Sequence, residues 1–199
     1  SDALSIVVNT KHHYKIAKEC IKNKKHVFIE KPITTTVEEA DDLLSTAEKN
    51  KVLIQVGHIE RLNPSILALR PYILKPKFIE IQRLAPYTSR GTDVPVVLDK
   101  MIHDIDILLS LVSPNIETIQ STGLSILTDS IDIAHARIQF FDGAVASVMS
   151  SRIAKDEVRK IKIFQENLYV TLDLLLGTAE IYQTGQKCAG NPNLAIPFE

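Results

Sequence analysis

The sequence predicts two successive architectures: half of a doubly wound α/β domain with a parallel sheet, then an α+β domain with a mostly antiparallel, open sheet. Three observations carry this. The first sixty or so residues alternate short apolar runs with amphipathic stretches, the order strand–helix–strand–helix–strand that right-handed crossovers close into a parallel sheet. Beyond Pro64 the apolar pattern changes to period two, as half-buried strands require. One long amphipathic stretch, 96–112, stands among those strands as the principal helix of the second part.

Each element follows from its own residues. "LSIVV" (Leu4 to Val8) is a continuous apolar run of the kind that a parallel sheet buries on both faces. A helix follows from about His13 to Asn23, with Ile16, Ala17, Cys20 and Ile21 facing inward. "HVFI" (His26 to Ile29) is the second strand. Thr36 and Glu39 form a capping box that opens a helix whose Val37, Ala40, Leu43, Leu44 and Ala47 share a stripe. "VLIQV" (Val52 to Val56), stopped by Gly57, is the third strand.

The boundary falls between Gly57 and Asn63, giving a first domain over 1–58 and an α+β domain over 59–199 for substrate binding and oligomerisation. In the second, "FIEIQRL" (Phe78 to Leu84) alternates as a strand and "VVLDKMIHDIDILLSLV" (Val96 to Val112) is helical. Strands follow in "IETIQSTGLSIL", in "DIAHARIQFFDGAVASVMSSRI" with a hairpin turn at Asp142-Gly143, and in "RKIKIFQENLYVTLDLL". "HARIQFF" and "KIKIF" place apolar residues at alternate positions across a sheet too broad for one helix, so the chain is expected to form a homo-oligomer through its open sheet.

Composition bounds the function. Of 199 residues, 45% are hydrophobic and 24% charged, the balance of an ordinary globular protein. A formal charge of −1 gives no general attraction to nucleic acid or anionic membrane, and no apolar run is long enough to span a bilayer. Cys20 and Cys188 lie far apart without metal-ligand spacing, and Cys20 reads as a small core residue in a reducing compartment, so the cytoplasm is the expected location.

Four segments could carry chemistry. In Glu30-Lys31-Pro32 the proline keeps Lys31 extended, so it continues the second strand past the carboxyl end of the sheet, where open α/β sheets bind ligands. Lys31 can then donate to a substrate oxygen and Glu30 can accept from a ribose hydroxyl; a solvated charge pair at a strand end would have the same residues. On the long helix, Asp99, His103, Asp106 and Ser110 fall on one polar stripe, with Leu98, Met101, Ile102, Ile105, Leu108, Leu109 and Val112 on the apolar one. Asp99 and His103, four apart, suit a carboxylate-oriented general base, or simply a solvent face. "GHIERLNP" (Gly57 to Pro64) brings His58, Glu60, Arg61 and Asn63 to the same strand ends, donors and acceptors for a polyhydroxylated ligand or an ordinary polar linker. "NTKHH" (Asn9 to His13) follows the first strand at that edge, His13 opening the next helix.

Together, "HVFIEKP", "VGHIERLNP" and "LDKMIHDID", in this order and spacing, resemble the Gfo/Idh/MocA oxidoreductases, the glucose–fructose oxidoreductase and inositol dehydrogenase family. The likeness runs from about Ser5 to Leu175 and is nearest to the branch that oxidises the 3-hydroxyl of UDP-N-acetylglucosamine-type sugars, whose GHIERFNP has Phe where this chain has Leu62. The resemblance implies a Rossmann-type first domain, NAD or NADP as cofactor, and a sugar or nucleotide-sugar substrate. It implies that Lys31 lies by the nicotinamide and the reacting carbon, that Glu30 contacts the nicotinamide ribose, and that Asn9, Thr10, His13 and His58 line the cofactor. His103 would take the hydroxyl proton with Asp99 behind it, and Arg61 and Asn63 would contact substrate. No metal is implied.

The family's G-x-G-x-x-G phosphate loop is absent from these 199 residues, as is the residue that selects NAD or NADP. The sequence thus reads as the C-terminal half of a Rossmann-type sheet plus a second domain cut short at its C-terminus, unable by itself to hold a dinucleotide tightly. Two rival readings remain at this stage: a catalytically degenerate fragment kept as a binding or assembly subunit, and a metal phosphohydrolase built on the His103-Asp104 doublet.

Overall fold

The computed structural model describes residues 1–88, 94–112 and 114–183; Cys188 lies outside them. The chain forms two compact units, Ser1–Ile59 and Glu60–Glu199.

The first unit is a three-stranded parallel sheet in the order β1 (Ala3–Ile6), β2 (His26–Ile29), β3 (Ile54–Val56), with α1 (His13–Lys22) and α2 (Val37–Asn50) as the two crossovers. The register pairs Ile6 with Ile29 and Val27 with Ile54, so one face of the sheet is aliphatic. The two helices pack on each other and, through Ala17, Ile21, Leu43 and Ala47, enclose Ile6, Val27 and Ile29. Each buried aliphatic side chain here contributes about 1.5–3 kcal/mol. Thr36 caps α2 by accepting from the Glu39 amide at 3.3 Å, and the Glu39 carboxylate accepts in return from the Thr35 amide at 3.2 Å.

Three sequence expectations are corrected in this unit. "LSIVV" is not buried on both faces: β1 ends at Ile6, its only buried residue, and Val7 and Val8 are exposed, because both helices cover the same face of the sheet. The buried side of α2 is also narrower than its stripe, with Leu43 and Ala47 enclosed and Val37 and Leu44 exposed. On α1, His13 joins Ala17 and Ile21 in the interior while Ile16 is exposed and Cys20, a free thiol, is half-buried.

The second unit is a seven-stranded sheet in the order β10-β9-β8-β4-β7-β6-β5. Its strands are β4 (Phe78–Leu84), β5 (Ile116–Leu124), β6 (Ile133–Phe140), β7 (Val145–Ser151), β8 (Val158–Gln165), β9 (Leu168–Asp173) and β10 (Thr178–Gln183). Every neighbouring pair is antiparallel except β4 and β7. Gly143, at φ +86°, turns β6 into β7 where Asp142-Gly143 predicts it, and Asn167, at φ +61°, turns β8 into β9. Among the described residues the unit also has a short helix, α3 (Pro64–Leu67), and a longer one, α4 (Ile102–Leu111); a π-helical turn over Val97–Met101 leads directly into α4.

Period two sorts the sheet into faces. Ile79, Ile81, Ala136, Ile138, Phe140, Ala146, Val148, Ile161, Ile163, Val170 and Leu172 point into one core with Val96, Met101, Ile107 and Leu108. The apolar residues of "HARIQFF" and "KIKIF" up to Phe140 are therefore enclosed within the unit itself, apart from Phe164, and do not form the open face. That face carries instead polar and charged side chains such as Glu80, Gln82, His135, Arg137, Lys160 and Lys162. Along one of its rows runs an aromatic file, Phe78–Phe164–Tyr169–Tyr182, with successive ring centroids 5.9, 4.9 and 5.8 Å apart.

Candidate active site

In the first unit the carboxyl ends of three parallel strands meet, and main-chain bonds carry the ladder one residue further. The Glu30 amide donates to the Ile6 carbonyl at 3.1 Å, and the Gly57 amide donates to the Ile29 carbonyl at 2.8 Å. This fixes Glu30 beside Gly57, and the Glu30 side chain lies over it. A Cβ at Gly57 would stand 3.1 Å from Glu30 Oε2 and 3.2 Å from Phe28 Cζ, so the glycine is what gives the carboxylate its place. Lys31 follows, half-buried, and His58 is half-buried after Gly57, its amide donating to the Val56 carbonyl at 2.8 Å.

Beyond β1 the chain turns at Asn9, whose carbonyl accepts from the His12 amide at 2.9 Å, and makes one 3₁₀ turn over Thr10–His12. Asn9 is exposed and Thr10 half-buried at this strand end. His13 is enclosed at the start of α1. It is 1% exposed, Nδ1 lies 2.9 Å from the Pro32 carbonyl oxygen, and Nε2 lies 2.9 Å from the Val8 carbonyl oxygen. Both edges of the ring are engaged with main chain, one at the turn after β1 and one at the turn after β2.

In the second unit Asp99 sits in the π-helical turn, side chain 29% exposed, with Lys100 Nζ 3.5 Å from its carboxylate. His103 is the second residue of α4, half-buried, with its Nδ1 atom buried. The helix does not present the simple wheel of a straight α-helix. Asp104 is on the buried side, while Leu98 and Leu109 are exposed. What draws Asp104 inward is Arg83: its Nε lies 3.0 and 2.9 Å from the two Asp104 oxygens, and its Nη2 lies 2.8 Å from Oδ1. Arg83 Nη1 also donates to Glu60 Oε1 at 3.1 Å. Burial works against the Arg83 charge, but Asp104 and Glu60 hold its guanidinium above the ordinary arginine value. Burial pushes the Asp104 carboxyl up, with Arg83 opposing.

This pair removes half of the His103-Asp104 doublet from metal chemistry, since both Asp104 oxygens accept from Arg83. Among the described residues no group of three or more His, Cys, Asp or Glu could hold a metal ion.

Two of the residues assigned to substrate have other partners. Asn63 caps α3: its Oδ1 accepts from the Ser65 amide at 3.0 Å and hydroxyl at 2.8 Å, while its Nδ2 donates to the Leu174 carbonyl at 2.9 Å. Donor and acceptor of the Asn63 amide are thus both engaged within the unit. Arg61 Nε donates to Asp106 Oδ2 at 2.7 Å and Nη2 to Oδ1, an ion pair that raises the guanidinium above its ordinary value. Arg61 is half exposed, so its remaining N–H groups can still meet a ligand. Ser110, on the same stripe, donates to the Ile107 carbonyl at 2.6 Å.

The sequence held a signal for the residue that went unassigned. Arg83 is in phase with Ile79 and Ile81, on the inward face of β4, and a cation at such a position requires a buried carboxylate.

Comparison with known proteins places the chain. Residues 1–58 match the Gfo/Idh/MocA profile, described as an oxidoreductase family with an NAD-binding Rossmann fold. The UDP-N-acetylglucosamine 3-dehydrogenase of Acidithiobacillus ferrooxidans is 36% identical over 185 residues, covering 92% of this chain and 59% of that protein. The family match thus falls on the first 58 residues of this chain. The solved structure of the same Acidithiobacillus enzyme superposes with a TM-score of 0.88, covering 92% of this chain and 61% of that one. The myo-inositol 2-dehydrogenase of Thermotoga maritima is 26% identical, covering 77% of this chain and 50% of its own. The WlbA dehydrogenase of Chromobacterium violaceum, solved with NADH and UDP-GlcNAcA, shares the fold at a TM-score of 0.83 and 17% identity, over 95% of this chain and 61% of that one. The chain thus spans between half and two thirds of the length of these relatives.

Proposed function

We propose that the whole protein is an NAD- or NADP-dependent dehydrogenase that oxidises a sugar hydroxyl, with the 3-hydroxyl of UDP-N-acetylglucosamine as the first substrate to test. The observation that carries this reading is the 36% identity, over 92% of this chain, to an enzyme named for that reaction. The local geometry of each unit supports it.

The residues of the first unit fit the nicotinamide end of a dinucleotide. The Glu30 carboxylate, an acceptor-only group, is seated over Gly57, a backbone position where a Cβ would crowd it. Such a carboxylate suits a pair of ribose hydroxyls. When bound, the nicotinamide supplies the two-electron acceptor that oxidation of an alcohol needs.

The remaining work falls to this chain's side chains. Lys31, an ammonium at a strand end, donates to the oxygen of the reacting hydroxyl and steadies negative charge there as the proton leaves. His103 accepts that proton; with Nδ1 buried, Nε2 is the nitrogen for the exchange. Asp99 is the carboxylate that favours the imidazolium so formed. Arg61, held by Asp106, offers its outer N–H groups to the substrate's anionic or hydroxyl groups. Among the described residues no helix is long and apolar enough to cross a membrane. A cytoplasmic setting and assembly of copies through the open sheet belong to the same proposal.

The test is incubation of the whole protein with UDP-N-acetylglucosamine and either NAD+ or NADP+, following reduced nicotinamide. Substrate-dependent reduction supports the reading. Nucleotide binding without turnover on nucleotide sugars or inositols would favour the degenerate binding subunit instead.

A further inference from the structure

We propose that His13 is a positioning residue for the nicotinamide end of the site, coupling the turn after β1 to the turn after β2; the inference rests on the dehydrogenase reading above. His13 is the first residue of α1 and is 1% exposed. Its two ring nitrogens reach in different directions to main-chain oxygens, Nδ1 to Pro32 and Nε2 to Val8, each at 2.9 Å. Carbonyl oxygens only accept, so the ring donates an N–H to one of them when neutral and to both only as the imidazolium.

The placement of those two carbonyls gives the bridge its meaning. The Val8 carbonyl immediately precedes Asn9 and Thr10, and the Pro32 carbonyl belongs to the residue that follows Glu30 and Lys31. One side chain thus sets the spacing of two turns that sit on different strands and carry four candidate ligand groups. α1 supplies the anchor, since Ala17 and Ile21, one and two turns further on, are fully buried against the sheet. Few other side chains can make this bridge. An aliphatic one would offer neither part-buried carbonyl a donor, and the shorter reach of a primary amide serves one of them. Displacement of Lys31 by a fraction of an ångström is enough to cost a transfer reaction tenfold or more, because the reacting groups must stand in near-attack geometry.

The test compares His13→Leu and His13→Gln with wild type in the whole protein. Five quantities are measured: thermal midpoint, NADH or NADPH affinity by fluorescence titration, kcat, KM, and deuterium uptake of peptides covering 8–12, 30–35 and 37–50. The inference expects His13→Leu to weaken nucleotide binding and lower kcat, each about tenfold or more. His13→Gln should recover part of both losses. Uptake should rise together in 8–12 and 30–35 while 37–50 stays protected. A folded His13→Leu protein with wild-type affinity, kcat and uptake overturns the inference. Where His13→Leu does not fold, His13→Gln decides: wild-type parameters overturn it, and a partial loss with raised uptake in both turns supports it. Wild-type protein that binds neither nucleotide overturns the dehydrogenase reading, whereas the paired rise in uptake tests the bridge without any ligand.

Discussion

Arg83 and Asp104 form a buried bidentate ion pair, with contacts of 2.8 to 3.0 Å and side chains 5% and 2% exposed. It joins β4 to the residue next to His103, and Arg83 extends it to Glu60. Removing one partner of such a pair strands a charge in the interior. We expect Arg83→Ala or Asp104→Ala to destabilise the protein by about 3–5 kcal/mol. Arg83→Lys should recover little, since an ammonium cannot reproduce the fork. Denaturant unfolding of the three variants checks this; losses within 1 kcal/mol of wild type, on the order of a surface pair, would contradict it.

Acid stability should depend on Asp132. Its carboxylate accepts from the amides of Ile126, Leu127 and Thr128 at 2.8, 2.7 and 3.0 Å, from the Thr128 hydroxyl at 2.7 Å, and from Arg152 Nε at 2.8 Å. Burial pushes this carboxyl up, but the Ile126 amide, Arg152 and Thr128 outweigh it and hold it far below the usual carboxylate range. A carboxyl depressed in the folded state contributes stability above its unfolded value, about 4, and loses that contribution as pH falls below it. Thermal midpoints should therefore fall below about pH 4 in wild type. Asp132→Asn should lower the midpoint at neutral pH and flatten the acid fall. A variant whose acid profile parallels wild type would count against this.

Gly57→Ala tests the seat of Glu30. The added Cβ would meet the Glu30 carboxylate and the Phe28 ring at 3.1–3.2 Å, contacts that force one of them to shift. The φ of Gly57 is not among the positive ones, so the backbone itself tolerates alanine. The expected outcome is a several-fold weaker nicotinamide nucleotide affinity with a small change in thermal midpoint. Unchanged affinity would free Glu30 from the ribose role.

Assembly through the open sheet should depend on the aromatic file. Phe78 and Phe164 are 38% and 39% exposed on a face otherwise rich in charge. Tyr169→Glu, placed in the middle of that file, should shift the whole protein toward monomer in light scattering. A wild-type monomer would remove the proposal.

Much of the fold was legible because its determinants are local. β2 and β4 coincide with "HVFI" and "FIEIQRL", and Gly143 turns where Asp142-Gly143 predicts. β10 was not foreseen, since "TAEIYQ" is a short edge strand of mixed polarity whose identity comes from pairing with β9. Nor was the π-helical turn before α4, or the inward side of that helix, because a distant strand residue, Arg83, draws Asp104 in. The site residues divide in the same way. Motif order marked Lys31, Asp99 and His103 as candidates, whereas the hydrogen bonds of His13 and Asn63 reach carbonyls at Pro32, Val8 and Leu174 that no spacing rule points to.

The proposed base is tested most directly by His103→Asn in the whole protein, assayed across pH with the sugar nucleotide and NAD+ or NADP+. As a base His103 must be neutral to act, so wild-type oxidation should rise with pH across the range where imidazole deprotonates. The variant should lose about a hundredfold or more in kcat and lose that rise, while its nucleotide affinity stays at the wild-type level. Turnover close to wild type, with the same pH profile, would contradict the account and leave His103 an ordinary residue at the start of α4.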